Sequence, residues 1–114
     1  MQKIITEKIG DKVIILLQED LDASDHRLTR RLQSPRQTNQ EFLVWVDCAH
    51  LECVRAYGVC HFINQLLLLK RTQNNIILLN LDDHQRQLLR LLQVEPLFRV
   101  VPDFEQAYQL VQAS

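Results

Sequence analysis

The chain has few of the residues that interrupt regular structure. Its 114 residues include two glycines and three prolines, which leaves little room for flexible linkers, repeats or low-complexity segments. Its main polar stretch is Gln33–Glu41, where a helix end and a surface loop around Pro35 are predicted. A chain of this length can bury a core of its own. We therefore expect one domain that spans residues 1–114.

Long hydrophobic runs and an excess of charge of one sign are also missing. A formal net charge of −1 provides no overall field that would steer the chain to nucleic acid or to an anionic membrane. The longest apolar runs, such as Val13–Leu17 and Ile76–Leu79, have the length of strands and are too short to span a bilayer. We expect neither nucleic-acid binding nor membrane insertion.

Cysteine usage bears on the cellular compartment. There are three cysteines, an odd number, and the N-terminal segment has no apolar stretch of the length found in signal peptides. Cysteines in a chain without an export signal are typical of reduced thiols. The expected location is the cytoplasm.

Strand-like and helix-like segments alternate along the chain. The pattern predicts strands at Lys3–Ile9, Val13–Gln18, Phe42–Val46, Ile76–Leu81 and Phe98–Val101. It predicts helices that begin near Asp22–Ser24, near Ala56–Gly58, at Asp82-Asp83 and after Pro102-Asp103. This alternation indicates βα units around a mostly parallel sheet, which is an α/β fold.

Apolar spacing identifies candidate core residues on the helices. The second helix carries the clearest stripe, at Val59, Phe62, Ile63, Leu66 and Leu67. The third is predicted to carry Leu88, Leu89 and Leu92, with Leu88 buried, and to end at Pro96.

One segment, Val46–Val59, combines a strand end, a short polar turn and a helix start. In spacing and context it resembles the signature of the STAS domain, the module of sulfate transporters and anti-sigma factor antagonists. In that family a strand ending in Asp leads to Asp-Ser-Ser-Gly-Leu at the start of a helix. Aligned without a gap, Asp47 takes the place of the strand-end Asp and Gly58 that of the Gly. The family's Asp, Ser and phosphorylatable Ser then correspond to Arg55, Ala56 and Tyr57.

Two further segments are similar to the same family. Glu19–Ala23 resembles its Gly-x-Leu-Asp segment between the second strand and the first helix, with Glu19 in place of Gly. Leu88–Val111 is similar to its closing helix, strand and helix, with Glu95–Leu97 where the family has Thr-Gly-Leu. The resemblance thus covers nearly the whole chain.

The resemblance implies both a fold and a function. The fold would be a single STAS-like α/β domain with a mostly parallel mixed sheet of four to five strands and about four helices. The function would be a bacterial-type, non-enzymatic signalling module that binds another protein, such as a kinase-type anti-sigma factor or a transporter subunit, without a cofactor. Because a kinase site built for a small aliphatic hydroxyl should not accept the phenol of Tyr57, no phosphorylation is expected there. Whether the chain forms a homodimer is left open.

The expected partner-binding residues are Arg55, Ala56, Tyr57, Gly58 and Leu68. Tyr57 would be a permanent contact residue, with packing over Gly58 as the alternative. Arg55 precedes the predicted helix start, where a cation opposes the helix dipole. It is therefore assigned to a partner carboxylate or bound anion, with a solvated side chain as the alternative. Leu68 lies nearly opposite the apolar stripe and would extend the face.

Five side chains raise the question of a metal: Cys48, His50, Cys53, Cys60 and His61. Zinc takes thiolate and imidazole ligands in a tetrahedron. The sequence has no C-x-x-C pair, and Cys48 and Cys60 fall at positions that suit small core residues. No bound metal is expected.

Other classes of function have less support. The sequence has no G-x-S-x-G, no Gly-rich phosphate loop and no H-E-x-x-H. A basic patch on the first helix and its exit (Arg27, Arg30, Arg31 and Arg36) lacks interleaved aromatics, which favours a solvated or protein-facing surface. Two alternatives stay open: an accessory or scaffold subunit of a transport or signalling complex, and a small-ligand or nucleotide sensor that holds an anion at a helix start.

Overall fold

A computed structural model describes residues 1–33, 41–73 and 75–113. Its single sheet has five strands in the order of the sequence: β1 (Lys3–Ile9), β2 (Lys12–Gln18), β3 (Glu41–Asp47), β4 (Ile76–Leu79) and β5 (Arg99–Val101). β1 pairs with β2 antiparallel, and the remaining neighbours pair in parallel. The expected α/β fold with a mostly parallel mixed sheet is confirmed.

Five α-helices connect and follow these strands within the described residues: α1 (His26–Gln33), α2 (Glu52–Tyr57), α3 (Val59–Lys70), α4 (Asp83–Leu91) and α5 (Phe104–Ala113). A 3₁₀ turn at Glu95–Leu97 leads from α4 to β5. No helix in the described residues is long and apolar enough to cross a membrane. The helix count exceeds the expected four because α2 forms where a short polar turn was predicted before the second helix.

The helices cover the two faces of the sheet unequally. Parallel strands in sequential order, joined by right-handed crossovers, place all the connecting helices on one face. That face holds the larger apolar cluster, which includes Leu28 of α1, Leu66 of α3 and Leu89 of α4. The other face is covered by α5, whose Ala107 and Val111 join a smaller cluster with strand residues.

The core confirms the predicted stripe of α3 and corrects the prediction for α4. Phe62, Ile63 and Leu66 are buried, and Val59 and Leu67 pack against them. On α4 the fully buried leucine is Leu89, whereas Leu88 is only partly buried. Of the three leucines predicted for this helix, Leu89 is therefore the core residue, and the prediction that Leu88 is buried was wrong, since neighbouring positions lie 100° apart around a helix.

Two helix starts differ in how well the sequence predicted them. Asp82 caps α4 as predicted, and it forms a capping box in which the Gln85 N–H donates to Asp82 Oδ1 (2.7 Å) and the Asp82 N–H donates to Gln85 Oε1 (2.9 Å). The first helix begins at His26, not at Asp22–Ser24. Asp22 Oδ1 instead accepts both the N–H and the hydroxyl of Ser24, which closes a local turn.

The observed ends of several helices and strands also differ from the predicted ones. α4 ends at Leu91, well before Pro96, and Gln93 follows with a φ of 60°. β4 ends two residues earlier than predicted, at Leu79, because Asn80 turns the chain with a φ of 58°. β5 begins at Arg99 rather than at Phe98. Asn74 and residues 34–40, for which a turn and a loop were predicted, lie outside the described residues.

Two arginines of the predicted basic patch form hydrogen bonds within the domain. Arg27 Nη2 lies 2.7 Å from Asp25 Oδ2 and 2.6 Å from the carbonyl oxygen of Gln2. The Arg27 guanidinium holds the pKa of Asp25 down at about 2. Arg31 Nη1 donates to the carbonyl oxygen of Ile4 (3.2 Å) and to Thr6 Oγ1 (2.7 Å). These two arginines fasten α1 to β1, and Arg36 lies outside the described residues.

Candidate functional site

A row of polar side chains crosses the ends of β2, β3 and β4. Asp47 Oδ2 accepts from Gln18 Nε2 (3.0 Å), and Asp47 Oδ1 accepts from Asn80 Nδ2 (3.1 Å) and from the backbone N–H of Ala49 (3.1 Å). Asp47 is buried at this edge of the sheet. The row therefore fixes the loop that leaves β3 and leads to α2.

The loop after β2 supplies the hydrogen-bond acceptors that cap the first turn of α2. Leu51 precedes α2 and has no side-chain acceptor for its first turn. Asp20 Oδ1 supplies one, accepting the N–H of Cys53 (2.9 Å) as well as that of Leu21 (2.8 Å). The carbonyl oxygen of Glu19 accepts the N–H of Glu52 (3.0 Å). A six-residue helix is too short to be stable alone, so these contacts hold α2 in place.

Glu19 and Asp20 show how this loop is built. Glu19 has a φ of 69°, a conformation in which glycine is least strained. In the family resemblance, Glu19 takes the position of the Gly in the Gly-x-Leu-Asp segment. Burial disfavours the ionised form of Asp20, but the N–H groups of Leu21 and Cys53 outweigh this effect and lower the pKa of Asp20. The cap therefore stays ionised well into the acidic range.

Replacing Asp20 with asparagine or alanine tests this cap. We expect Asp20→Ala to lower the free energy of unfolding by about 1 kcal/mol at neutral pH, the usual effect of losing a helix cap. A lowered pKa in the folded chain means that the ionised Asp20 stabilises the fold above its unfolded pKa, near 3.8, and that this contribution is lost as the pH falls through the folded pKa. The difference in stability between the parent and Asp20→Asn should therefore be constant above about pH 5 and shrink below it. Urea unfolding from pH 6.5 to pH 3 measures this, and a pH-independent difference would contradict the charged cap.

Tyr57 is the last residue of α2 and one of the most exposed apolar side chains in the described residues. Its side chain is 74% exposed. Its ring lies over the ring of His61 on α3, with centroids 5.0 Å apart and planes at 45°. Arg55 and Ala56 beside it are also exposed. Three consecutive residues at the C-terminal end of α2 are thus available at the surface.

Gly58 separates α2 from α3 and corrects the predicted helix start. Its φ of 92° and ψ of 172° are incompatible with a helix, and its N–H closes α2 by donating to the Val54 carbonyl oxygen (2.9 Å). Arg55 therefore lies in the last turn of α2, not before a helix start. A cation there is favoured by the helix dipole, so the inferred conflict with the dipole was wrong.

Leu68 lies apart from the other four predicted contact residues. It is ten residues beyond Gly58, which corresponds to about 15 Å along α3. Leu68 is 39% exposed, as its position opposite the apolar stripe predicts. It lines a groove of about 580 Å³ between α1 and the end of α3, together with Leu32, Arg71 and Thr72. The structure therefore brings Arg55, Ala56, Tyr57 and Gly58 together and places Leu68 elsewhere.

The five metal candidates have different surroundings. Cys48 and Cys53 are buried in the apolar cluster. Burial raises the pKa of the Cys48 thiol strongly and that of Cys53 to about 11, which disfavours the thiolate that binds metals. Cys60 is exposed, so its interpretation as a small core residue was wrong. Within the part of the chain that the structure describes, no three His, Cys, Asp or Glu side chains are placed to share a metal ion.

A cleft lies beside Arg55 at the ends of the parallel strands. It has a volume of about 560 Å³, and its lining includes His50, Arg55, Asn80 and Asp82. Open α/β sheets commonly bind ligands outside the carboxyl ends of their strands. The carboxylate of Asp82 is already engaged by the first turn of α4, so Arg55 is the cationic side chain of this cleft.

Comparison with solved structures finds the same fold in TM1081, a protein from Thermotoga maritima. The crystal structure, of a candidate anti-sigma factor antagonist, aligns with a TM-score of 0.55 and 12% identity over 96% of this chain and 94% of that chain. The NMR structure of TM1081 aligns with a TM-score of 0.53 and 12% identity over 96% and 88%. No family model and no curated protein sequence matches the chain. At this identity the likeness concerns the fold.

Several functional features could not be found from the sequence. The capping of α2 by Asp20 joins residues 33 positions apart, and α2 itself lies where a short polar turn was predicted. The local sequence offers acidic residues between Glu19 and Asp25, but carboxylates are also expected there because they precede a helix start.

Proposed function

We propose that this chain is a non-enzymatic protein-interaction module, similar to an anti-sigma factor antagonist, that binds its partner through Arg55, Ala56, Tyr57 and Gly58. The observation that carries the proposal is the 74% exposed ring of Tyr57 at the end of a helix that is held by its neighbours. Tyr and Arg are enriched among the residues that dominate binding energy at protein interfaces. The likeness of the fold to TM1081 is consistent with this role.

The anchoring of α2 supports a binding role for its exposed end. Ordering a flexible segment on binding costs free energy, and a surface that is already ordered avoids this cost. Asp20 and Glu19 hold the first turn of α2, and Gly58 ends the helix with a backbone hydrogen bond. Tyr57 is therefore presented in one position before a partner arrives.

The proposed module lacks the phosphorylation switch that the family resemblance would imply. Tyr57 carries a phenol where an aliphatic hydroxyl would be needed, so a serine kinase of the anti-sigma type has no substrate there. The partner would be another protein in the cytoplasm, either such a kinase-type anti-sigma factor or a transporter subunit. Leu68 is proposed as a second contact, for a partner large enough to reach the groove beside α1.

Alanine substitutions at the end of α2 test the proposal. We expect Arg55→Ala and Tyr57→Ala each to weaken partner binding by more than about 1 kcal/mol, because both side chains would be buried at the interface. Each should leave the free energy of unfolding within about 1 kcal/mol of the parent, because both side chains are exposed in the free chain. A partner is first isolated by affinity pull-down from native cells, and calorimetric titration then gives the affinities.

Matched substitutions elsewhere control for general effects. Tyr108→Ala on α5 and Arg99→Ala on β5 remove the same types of exposed side chain and should leave the affinity unchanged. If Tyr57→Ala binds as tightly as the parent but is strongly destabilised, Tyr57 has a packing role and the proposed surface is wrong.

Two further candidates remain. An accessory or scaffold subunit of a transport or signalling complex would use the same surface, and the identity of the captured protein separates this role from anti-sigma antagonism. A small-ligand or nucleotide sensor is favoured by the cleft of about 560 Å³ beside Arg55. Thermal unfolding against a panel of nucleotides distinguishes the sensor, since its melting temperature should rise with the ligand that it binds.

A further inference from the structure

Arg86 on α4 has a buried donor that the fold leaves without an acceptor. Its Nε is buried and has no hydrogen-bond partner among the described residues. Arg90, one turn later, does have a partner, since its Nε lies 3.2 Å from Glu95 Oε2. A donor that has lost water without gaining an acceptor is unfavourable, and folded proteins leave few of them. An acceptor from outside the chain would resolve this arrangement.

The surroundings of Arg86 form a groove that suits such an acceptor. The groove has a volume of about 400 Å³ and is lined by Arg86, Arg90, Glu95, Pro96, Phe98 and Val100. Its apolar residues lower the local dielectric constant and so strengthen any ion pair formed there. Two guanidinium groups face one carboxylate in this groove, and that carboxylate is engaged by Arg90. The groove therefore has one positive charge in excess.

We infer that this groove is an oxyanion-binding site in which Arg86 holds a carboxylate or phosphate group and Arg90 supports it. A guanidinium offers N–H donors in a planar fork that matches two oxygens of either group. Since Nε is buried in the free chain, the Arg86 side chain would turn towards the groove, and its Nε–H would then supply one arm of the fork. An anion between Arg86 and Arg90 would also relieve the repulsion of two like charges four residues apart on one helix. This site is independent of the Tyr57 surface.

Nuclear magnetic resonance can observe the Nε–H group of Arg86 directly. The signal is assigned in ¹⁵N-labelled chain by its absence from the Arg86→Lys spectrum. Inorganic phosphate and succinate are titrated separately at constant ionic strength, with sodium chloride as the reference. We expect a saturable shift of the Arg86 signal with half-saturation on the order of 1 mM. Arg86→Lys should weaken the anion binding, followed on backbone signals of the groove, by about tenfold because it keeps the charge and loses the fork.

The two titrations also identify the source of the oxyanion. A response to phosphate alone or to succinate alone supports the site and assigns it to that group. If neither anion shifts the Arg86 signal beyond the chloride reference, the proposal is overturned.

Arg86→Met separates a binding role from a structural one. Methionine keeps a similar apolar stem and removes the donor that has no partner. In buffer without phosphate or carboxylate, we expect this variant to melt at the same temperature as the parent or higher. It should lose the rise in melting temperature that the parent and the control Arg71→Lys show on adding the anion. A lower melting temperature for Arg86→Met, together with no rise for the parent, would make Arg86 a structural residue and overturn the proposal.

Discussion

Replacing Leu66 with alanine is expected to lower the free energy of unfolding by about 2–5 kcal/mol. Leu66 lies at the centre of the apolar stripe of α3, and its side chain is 0% exposed. Alanine would leave a cavity between α3 and the sheet, because close-packed surroundings relax only in part. Since small domains are stable by only about 5–15 kcal/mol, the loss would be a large share of the total. Urea unfolding at neutral pH, with the slope of the transition compared between variants, measures it.

Leu68→Ala is the matched control on the same helix. Leu68 is 39% exposed, so the same chemical change should cost less than about 1 kcal/mol. Leu89→Ala should behave like Leu66→Ala because Leu89 is fully buried. Equal losses for Leu66→Ala and Leu68→Ala would mean that the buried face of α3 has been assigned wrongly.

Replacing Gly58 with alanine is expected to cost about 1–3 kcal/mol and to disrupt partner binding as well. The φ of 92° and ψ of 172° at Gly58 belong to a region that residues with a side chain rarely enter. No atom lies within 4 Å of a Cβ placed there, so the cost comes from the backbone torsion and not from a collision. The chain can relieve this strain by rotating α2 relative to α3, which would move Tyr57 away from His61.

Gly10→Ala separates the loss of stability from the loss of binding. Gly10 lies in the turn between β1 and β2 with a φ of 62°, so alanine is strained there too. Both substitutions should therefore lower the urea midpoint, but only Gly58→Ala should weaken the binding of a captured partner. If Gly58→Ala keeps full stability and full affinity, the break between α2 and α3 does not exist as described.

Local sequence patterns determined most of the architecture. The run Lys3–Ile9 forms β1 with the predicted bounds, and the apolar run of β2 forms an interior strand of the sheet. Asp82 caps α4, as an aspartate just before a helical pattern predicts. These features depend on residues that are close in sequence, where side-chain period and capping chemistry act directly.

For several apolar residues, only the tertiary structure decided whether the side chain is buried. Leu88 and Leu89 were both predicted on the apolar side of α4, and packing buries Leu89 fully and Leu88 only in part. Cys48 and Cys60 were both predicted to suit small core residues, yet Cys48 is buried and Cys60 is exposed. Where an amphipathic stripe is wide or short, neighbouring positions compete for the core, and packing against the sheet decides between them.

The position of Tyr57 depended on the tertiary structure as well. The sequence offers no proline between Glu52 and Lys70, and Gly58 is the local signal for a helix end there. α2 is six residues long, and a helix of that length does not persist in water by its own propensity. Its first turn is held by the carboxylate of Asp20, which is 33 positions away along the chain. The sequence by itself therefore determined the strands and the βα order, while the contact between two distant loops decided that Tyr57 ends a separate helix at the surface.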